Sequence, residues 1–223
     1  IILKTVLDST MNSLITKTDL LNYAQLRTYT MTRIQNTARG AALTLAGSIT
    51  NAQLGVADQQ LKKTLVNVQA SLDALVEAND GIIQNIDHEE EEMKQIIFEK
   101  SILIRGSALD PTDSHTELLT SFQLVSVVTS AINSLMRMDS LVTGAGARAF
   151  AFLINNCLDG FLAKNDEITQ AFLNSLNKQK DSLQTMINLS VIVLPLLLVG
   201  IVLLLTVIIW HQYTTEKRYL LAF

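Results

Sequence analysis

Between Val191 and Trp210 the chain reads VIVLPLLLVGIVLLLTVIIW, without a single charged side chain. An α-helix rises about 1.5 Å per residue, so these residues cover about 30 Å, the thickness of a bilayer's hydrocarbon core. A buried core helix of this length nearly always keeps some polar face, whereas this stretch interrupts its apolar run only with Pro195, Gly200 and Thr206. It is therefore predicted to cross a membrane. Spanning helices tolerate proline better than soluble ones. Trp210 and Tyr213 fall at the exit, where amphipathic rings favour the headgroup layer.

The span accounts for the 48% hydrophobic content and divides the 223 residues. Residues 1–186 are expected to form a helical bundle, 187–210 the transmembrane helix, and 211–223 the start of a further segment. Ile1 is not an initiator residue, and the last residues, KRYLLAF, carry no cap, so chain is expected beyond both ends. Lys178 and Lys180 before the span balance Lys217 and Arg218 after it, so the positive-inside count ties. The closeness of the second pair to the exit favours a cytoplasmic C-terminus, with the bundle outside the cell or in a lumen and the plasma membrane as its location.

Two prolines and nine glycines leave few breaks, and helix is the default reading. A first helix is expected to run to about Leu54, with Leu14, Leu21, Ala24, Met31, Ala38, Ala42, Leu45 and Ile49 near helical spacing. Gly55 is its expected C-cap and Asp58 the next N-cap. Leu61, Leu65, Val68, Leu72 and Leu75 then step four and three, a coiled-coil register that continues through Asn79, Ile82, Ile86, Glu89, Met93 and Ile96. Residues 78–81, Ala-Asn-Asp-Gly, either end this helix or kink it, and Asp87 with Glu89–Glu92 could open another. GSALDPTDSHTE (Gly106–Glu117) reads as a loop with a capping box, Ser114 and Glu117. A third helix is expected to reach Val142, Gly144 and Gly146 to make a turn, and a fourth helix to run unbroken from Arg148 through Trp210. The predicted fold is all-α, an up-down bundle of long helices with a C-terminal transmembrane helix. The unequal stretch lengths require one of them to be bent or subdivided.

Chemistry-bearing patterns are sparse. His88 followed by four glutamates fails the HExxH zinc pattern, because Glu92 stands where the second histidine is needed. The glutamate run reads as a solvated first turn, with a divalent-ion site as its sharper alternative. Cys157, the one cysteine, permits no internal disulfide and reads as a small core residue. Asn188-Leu189-Ser190 matches a glycosylation sequon but abuts the span. The net charge of −4, with basic residues scattered, argues against nucleic acid as a partner. No catalytic, cofactor or metal constellation is legible, and the chain is read as non-enzymatic. Arg27, Arg33, Arg39, Arg137 and Arg148 are the candidates for a carboxylate-bearing small-molecule ligand, since guanidinium groups pair with carboxylates bidentately.

A bundle whose last helix enters a membrane resembles the ectodomains of chemoreceptors and sensor kinases. FLINNCLDGFLAKNDEITQAF (Phe152–Phe172), the span and TTEKRYLLAF (Thr214–Phe223) resemble the tiny macrocysts family of protist membrane proteins. That resemblance implies a helical extracytoplasmic segment between membrane helices of a multi-pass protein, and it brings no catalytic residues. The expected function is a membrane-anchored sensory or interaction domain, with the bilayer as partner and self-association through the helix seams. The alternatives are a tail-anchored tethering or fusion-type protein with a cytoplasmic bundle, and a purely structural bundle.

Overall fold

The computed structural model describes residues 2–47, 51–106, 115–142, 144–156 and 159–220. Among these the fold is all-α apart from one short hairpin. The elements are α1 (Ile2–Ala46), α2 (Asn51–Asn85), a 3-10 turn (Ile86–His88), α3 (Glu91–Phe98), β1 (Ile102–Arg105), β2 (Thr116–Leu119), α4 (Ser121–Met136), α5 (Gly144–Asn156) and α6 (Asp159–Leu220). The chain divides into two compact units, Ile1–Leu176 and Asn177–Phe223. The sequence reading drew that line at 186.

The heptad register is the organising feature of the first unit. Leu61, Leu65, Val68, Leu72, Leu75, Asn79, Ile82, Ile86, Glu89 and Met93 are all buried, in the order their spacing predicts. On α1 the buried stripe is Leu20, Ala24, Arg27, Met31, Ile34, Ala38 and Ala41, the same four-three alternation. Each fully buried aliphatic side chain here contributes about 1.5–3 kcal/mol. The core forms two clusters. One joins Met31, Ile34, Leu65, Leu72, Ile102, Leu124, Val128, Phe150 and Phe161; the other joins Leu20, Ala24, Ile82, Ile97, Phe122, Ile168 and Phe172.

Several expected boundaries are corrected. α1 ends at Ala46, before Leu54, and Gly55 and Asp58 lie inside α2. The Asp58 carboxylate instead accepts a hydrogen bond from the Leu141 N–H at 2.7 Å and lies 3.2 Å from Lys62, whose Nζ donates to the Asp139 carbonyl at 2.6 Å. A side chain that reads as a local cap thus ties down a loop 83 residues away. Residues 78–81 do not end α2, which runs on to Asn85; at Gly81 the Tyr23 ring lies against the backbone, where a Cβ would approach Cζ to 2.6 Å. α3 opens at Glu91 with Glu90 at its N-cap. Of the expected capping box, Ser114 lies outside the described residues and Glu117 lies in β2. The box is formed by Thr120 and Gln123 at the start of α4, with Gln123 N–H donating to Thr120 Oγ1 and Thr120 N–H to Gln123 Oε1. α4 stops at Met136, short of Val142.

The hairpin was hidden by its brevity. β1 pairs antiparallel with β2, Ile102 opposite Leu119 and Arg105 opposite Thr116, and Ile102 and Ile104 face the core while Leu103 and Arg105 face out. Gly106 follows with φ 74°, a left-handed conformation that favours glycine. Asn156 clasps the strand: its Oδ1 accepts from Arg105 N–H at 2.7 Å and its Nδ2 donates to the Arg105 carbonyl at 3.2 Å.

The expected fourth helix is described as α5 and α6, and the two positions between them, Cys157 and Leu158, lie outside the described residues. Gly144 opens α5 where a turn was expected, and Gly146 sits in its first turn against Leu141, where a Cβ would overlap the backbone carbonyl. A backbone group cannot swing aside, whereas the Tyr23 ring can. Gly146→Ala is therefore expected to cost about 1–3 kcal/mol in urea unfolding, despite the better helix propensity of alanine. Gly81→Ala should cost less.

α6 spans 62 residues with Pro195 inside it, and it is helical throughout 183–191. Val191, Leu194, Leu198, Leu203, Val207 and Trp210 are all more than half exposed. Among the described residues this is the one helix long and apolar enough to cross a membrane, and no part of its most apolar window is buried.

Candidate functional site

The five candidate arginines fall in four different settings. Arg33 is exposed on α1 beside Tyr29, Asn36 and Thr37, in a shallow depression made by that helix alone. Arg39 is exposed on the same helix. Arg148 is exposed on α5 and lays its guanidinium near Gly144. Arg137, exposed at the C-cap of α4, lines a groove between α2 and α4. Arg27 is fully buried.

The groove has a volume of about 480 Å³ and shares Val76, Asp80, Thr129 and Asn133 in its lining with a neighbouring hollow of about 590 Å³. Its polar lining follows from two helix faces. α2 presents Asn79 and Asp80 to the groove, with Asp73 and Glu77 lining the neighbouring hollow, and α4 presents Ser126, Thr129, Asn133 and Arg137. The hydroxyls of Ser126 and Thr129 already donate to the carbonyls of Phe122 and Val125, so their remaining capacity is to accept. Asn79, a polar member of the α2 seam that is 7% exposed, adds an Oδ1 without a hydrogen-bond partner among the described residues. Between them the groove and the hollow thus offer acceptors and carboxylates along α2 and one guanidinium at the end of α4.

Arg27 occupies a core position of the α1 register, between Ala24 and Met31. Its Cζ lies 4.6 Å from the centroid of the Phe122 ring and 5.2 Å from that of Phe161. Phe122 belongs to one hydrophobic cluster and Phe161 to the other, so the guanidinium sits where the two cores meet. Nε, Nη1 and Nη2 have no hydrogen-bond partner among the described residues. Burial lowers the pKa from its ordinary value to about 9, which still leaves the group charged at pH 7. Asn165 on α6 braces the same level of α1, its Nδ2 donating to the Ala24 carbonyl at 2.7 Å and to Thr28 Oγ1 at 2.6 Å.

The other buried charges of the bundle are paired. Lys17 donates to both oxygens of Glu89, at 2.8 and 2.7 Å, and to Ser175 Oγ at 2.6 Å, which ties α1 and α6 to the turn before α3. Lys164 donates to Glu99 and Glu167. Its burial opposes the charge, but those two carboxylates outweigh it and raise the pKa. Glu89 is therefore the buried partner of a lysine while Glu90–Glu92 are exposed, and no described group of three His, Cys, Asp or Glu side chains could hold a metal ion.

No family model, curated protein or solved structure matches this chain. Its functional reading rests on the residues themselves. Sequence reasoning named Arg27 without its partners Phe122, Phe161 and Asn165. The signal was available, since Leu20, Ala24, Met31, Ile34 and Ala38 leave position 27 as the missing member of one seam.

Asp58 supplies a pH test of the fold that holds the groove. The Leu141 N–H chiefly holds its carboxyl below the usual carboxylate range, partly opposed by burial and assisted by Lys62. A carboxylate whose folded pKa is depressed contributes stability above its unfolded value of about 3.9 and loses it as pH falls through the folded value. Unfolding free energy is thus expected to drop below about pH 4. Asp58→Asn should lower stability at pH 7 and flatten that acid limb, as followed by urea denaturation across pH.

Proposed function

We propose that this chain is a membrane-anchored helical sensory or interaction domain, non-enzymatic, whose bundle takes up a ligand or partner and whose last helix carries the consequence into the bilayer. The observation that carries the reading is α6 itself. It gives the bundle Phe161, Asn165, Ile168 and Phe172, all buried, and then supplies the exposed apolar residues 191–210. Small displacements of packed helices are an established means of passing a signal. In this reading the α2–α4 groove receives a small polar ligand, the bundle lies outside the cell at the plasma membrane, and the basic residues after the span face the cytoplasm. The likeness to the tiny macrocysts family fits such a placement.

The test is thermal unfolding of the full chain in lipid nanodiscs against a panel of amino acids, carboxylates and amines. A shift that grows with the logarithm of ligand concentration and is abolished by Asn133→Leu, with Arg33→Ala as an unaffected control, supports the sensory reading. A flat response to the whole panel overturns it.

The second reading is a tethering or purely structural bundle. It is favoured by Leu7, Met11 and Ile15, apolar residues at four-residue spacing that are 40%, 43% and 55% exposed on α1 and suit self-association. Sealed vesicles separate the cytoplasmic tether from the extracytoplasmic sensor. A tether leaves its bundle open to protease from the cytoplasmic side, and a sensor keeps it protected.

A further inference from the structure

Arg27 is the only buried charge described above that has no counter-charge. A guanidinium removed from water costs several kcal/mol unless it is paired and hydrogen-bonded. The Phe122 and Phe161 rings compensate part of the charge through their π faces, yet they accept none of the N–H bonds. Two further buried polar atoms on the elements that carry those rings also lack partners, Ser121 Oγ, one residue before Phe122, and Asn165 Oδ1, an acceptor one turn after Phe161. The hydroxyl of Ser121 can rotate to donate. The nearest cation in sequence to Asn165, Lys164, already engages both Glu99 and Glu167, so it releases no carboxylate for Arg27.

We propose that the guanidinium of Arg27, with the Ser121 hydroxyl, forms a buried site for a small monovalent anion of the size of chloride or nitrate at the junction of the two hydrophobic clusters. A water molecule could satisfy the N–H donors but would leave the charge uncompensated, whereas an anion answers both needs. Phe161 and Asn165 are on α6, so occupancy acts on the helix on which the sensory reading rests. The site itself does not depend on that reading, because anion binding is measured without reference to signalling.

The experiment is thermal unfolding of the full chain in detergent micelles, followed by far-ultraviolet circular dichroism at constant ionic strength, as gluconate is replaced by chloride or nitrate. Binding to the folded state alone raises the melting temperature, above the Kd in proportion to the logarithm of the anion concentration, and a shift of about 2–4 °C is expected for the wild type. Arg27→Met and Arg27→Gln, which remove the charge, should show no such rise, and Ser121→Ala a smaller one. Line broadening of the chloride-35 resonance by the folded wild type, reversed by nitrate, supports the site without any variant. An equal chloride response in both Arg27 variants, or no response and no broadening in the wild type, overturns the proposal.

Discussion

Arg27→Met is expected to raise the unfolding free energy by about 2–4 kcal/mol at pH 7 in chloride-free buffer, an unusual outcome for a substitution at a fully buried position. Burial lowers the Arg27 pKa to about 9, and an uncompensated buried charge costs several kcal/mol. Cation–π contacts with Phe122 and Phe161 offset about 0.5–2 kcal/mol each in the wild type and are lost with the charge. Methionine returns part of this by packing its thioether against the same rings. The penalty is fully present below pH 9, where folded and unfolded states are both protonated. It fades above pH 9 as the native guanidinium loses its proton while the unfolded one keeps it, so the advantage of methionine should shrink between pH 9 and 12. Urea titrations at pH 7 and pH 10.5 check both statements. A loss of stability in Arg27→Met at pH 7 would show that the guanidinium is well paired in the folded protein.

The second large effect is expected at Phe161, which is fully buried, belongs to the larger hydrophobic cluster and lies beside Arg27. Phe161→Ala should cost about 3–5 kcal/mol through lost burial and the cavity left behind. It also uncovers one side of a charge that is then left with the Phe122 ring alone. The two contributions separate in a double-mutant cycle. Phe161→Ala should cost more in the wild type than in the Arg27→Met background, by about 0.5–2 kcal/mol, the range of a buried cation–π contact. Equal costs in the two backgrounds would mean that the ring serves packing alone.

Much of the helical framework was legible because burial of a helix stripe imposes a period, and the seam obeys it from Leu61 to Met93; the expected last member, Ile96, is only half-buried, and Ile97 takes the core position instead. The span was legible for a simpler reason: a run of large apolar residues without charge has no other comfortable place. The boundaries were less so. Gly55, Asp58 and Gly81 have the residue types of helix ends, yet their side chains, or lack of them, serve contacts distant in sequence: Asp58 with Leu141, Gly81 with Tyr23. Local propensity cannot report such a contact. The hairpin escaped for a related reason, since four residues per strand carry too little alternation to outweigh a helical default, and Asn156 secures it from 51 residues away.

The candidate site was legible only in part. Arginine was the right residue type to single out, but surface and core arginines look alike until the register is followed through them, and only then does Arg27 stand apart from Arg33 and Arg39. The α2–α4 groove was harder still. Asp73, Glu77 and Asp80 share a face of α2 by spacing alone, but which helix lies opposite is decided by tertiary packing.

The proposed function depends on residues 191–210 lying in lipid. The most direct measurement is alkaline carbonate extraction of membranes from cells expressing the full chain, with immunoblotting of pellet and supernatant. The account predicts that the chain stays in the membrane pellet, and that paired Leu198→Arg and Leu203→Arg substitutions, each adding about 2.5–3.5 kcal/mol to insertion near the helix centre, release it. Recovery of the unaltered chain in the carbonate supernatant would contradict the membrane-anchored reading.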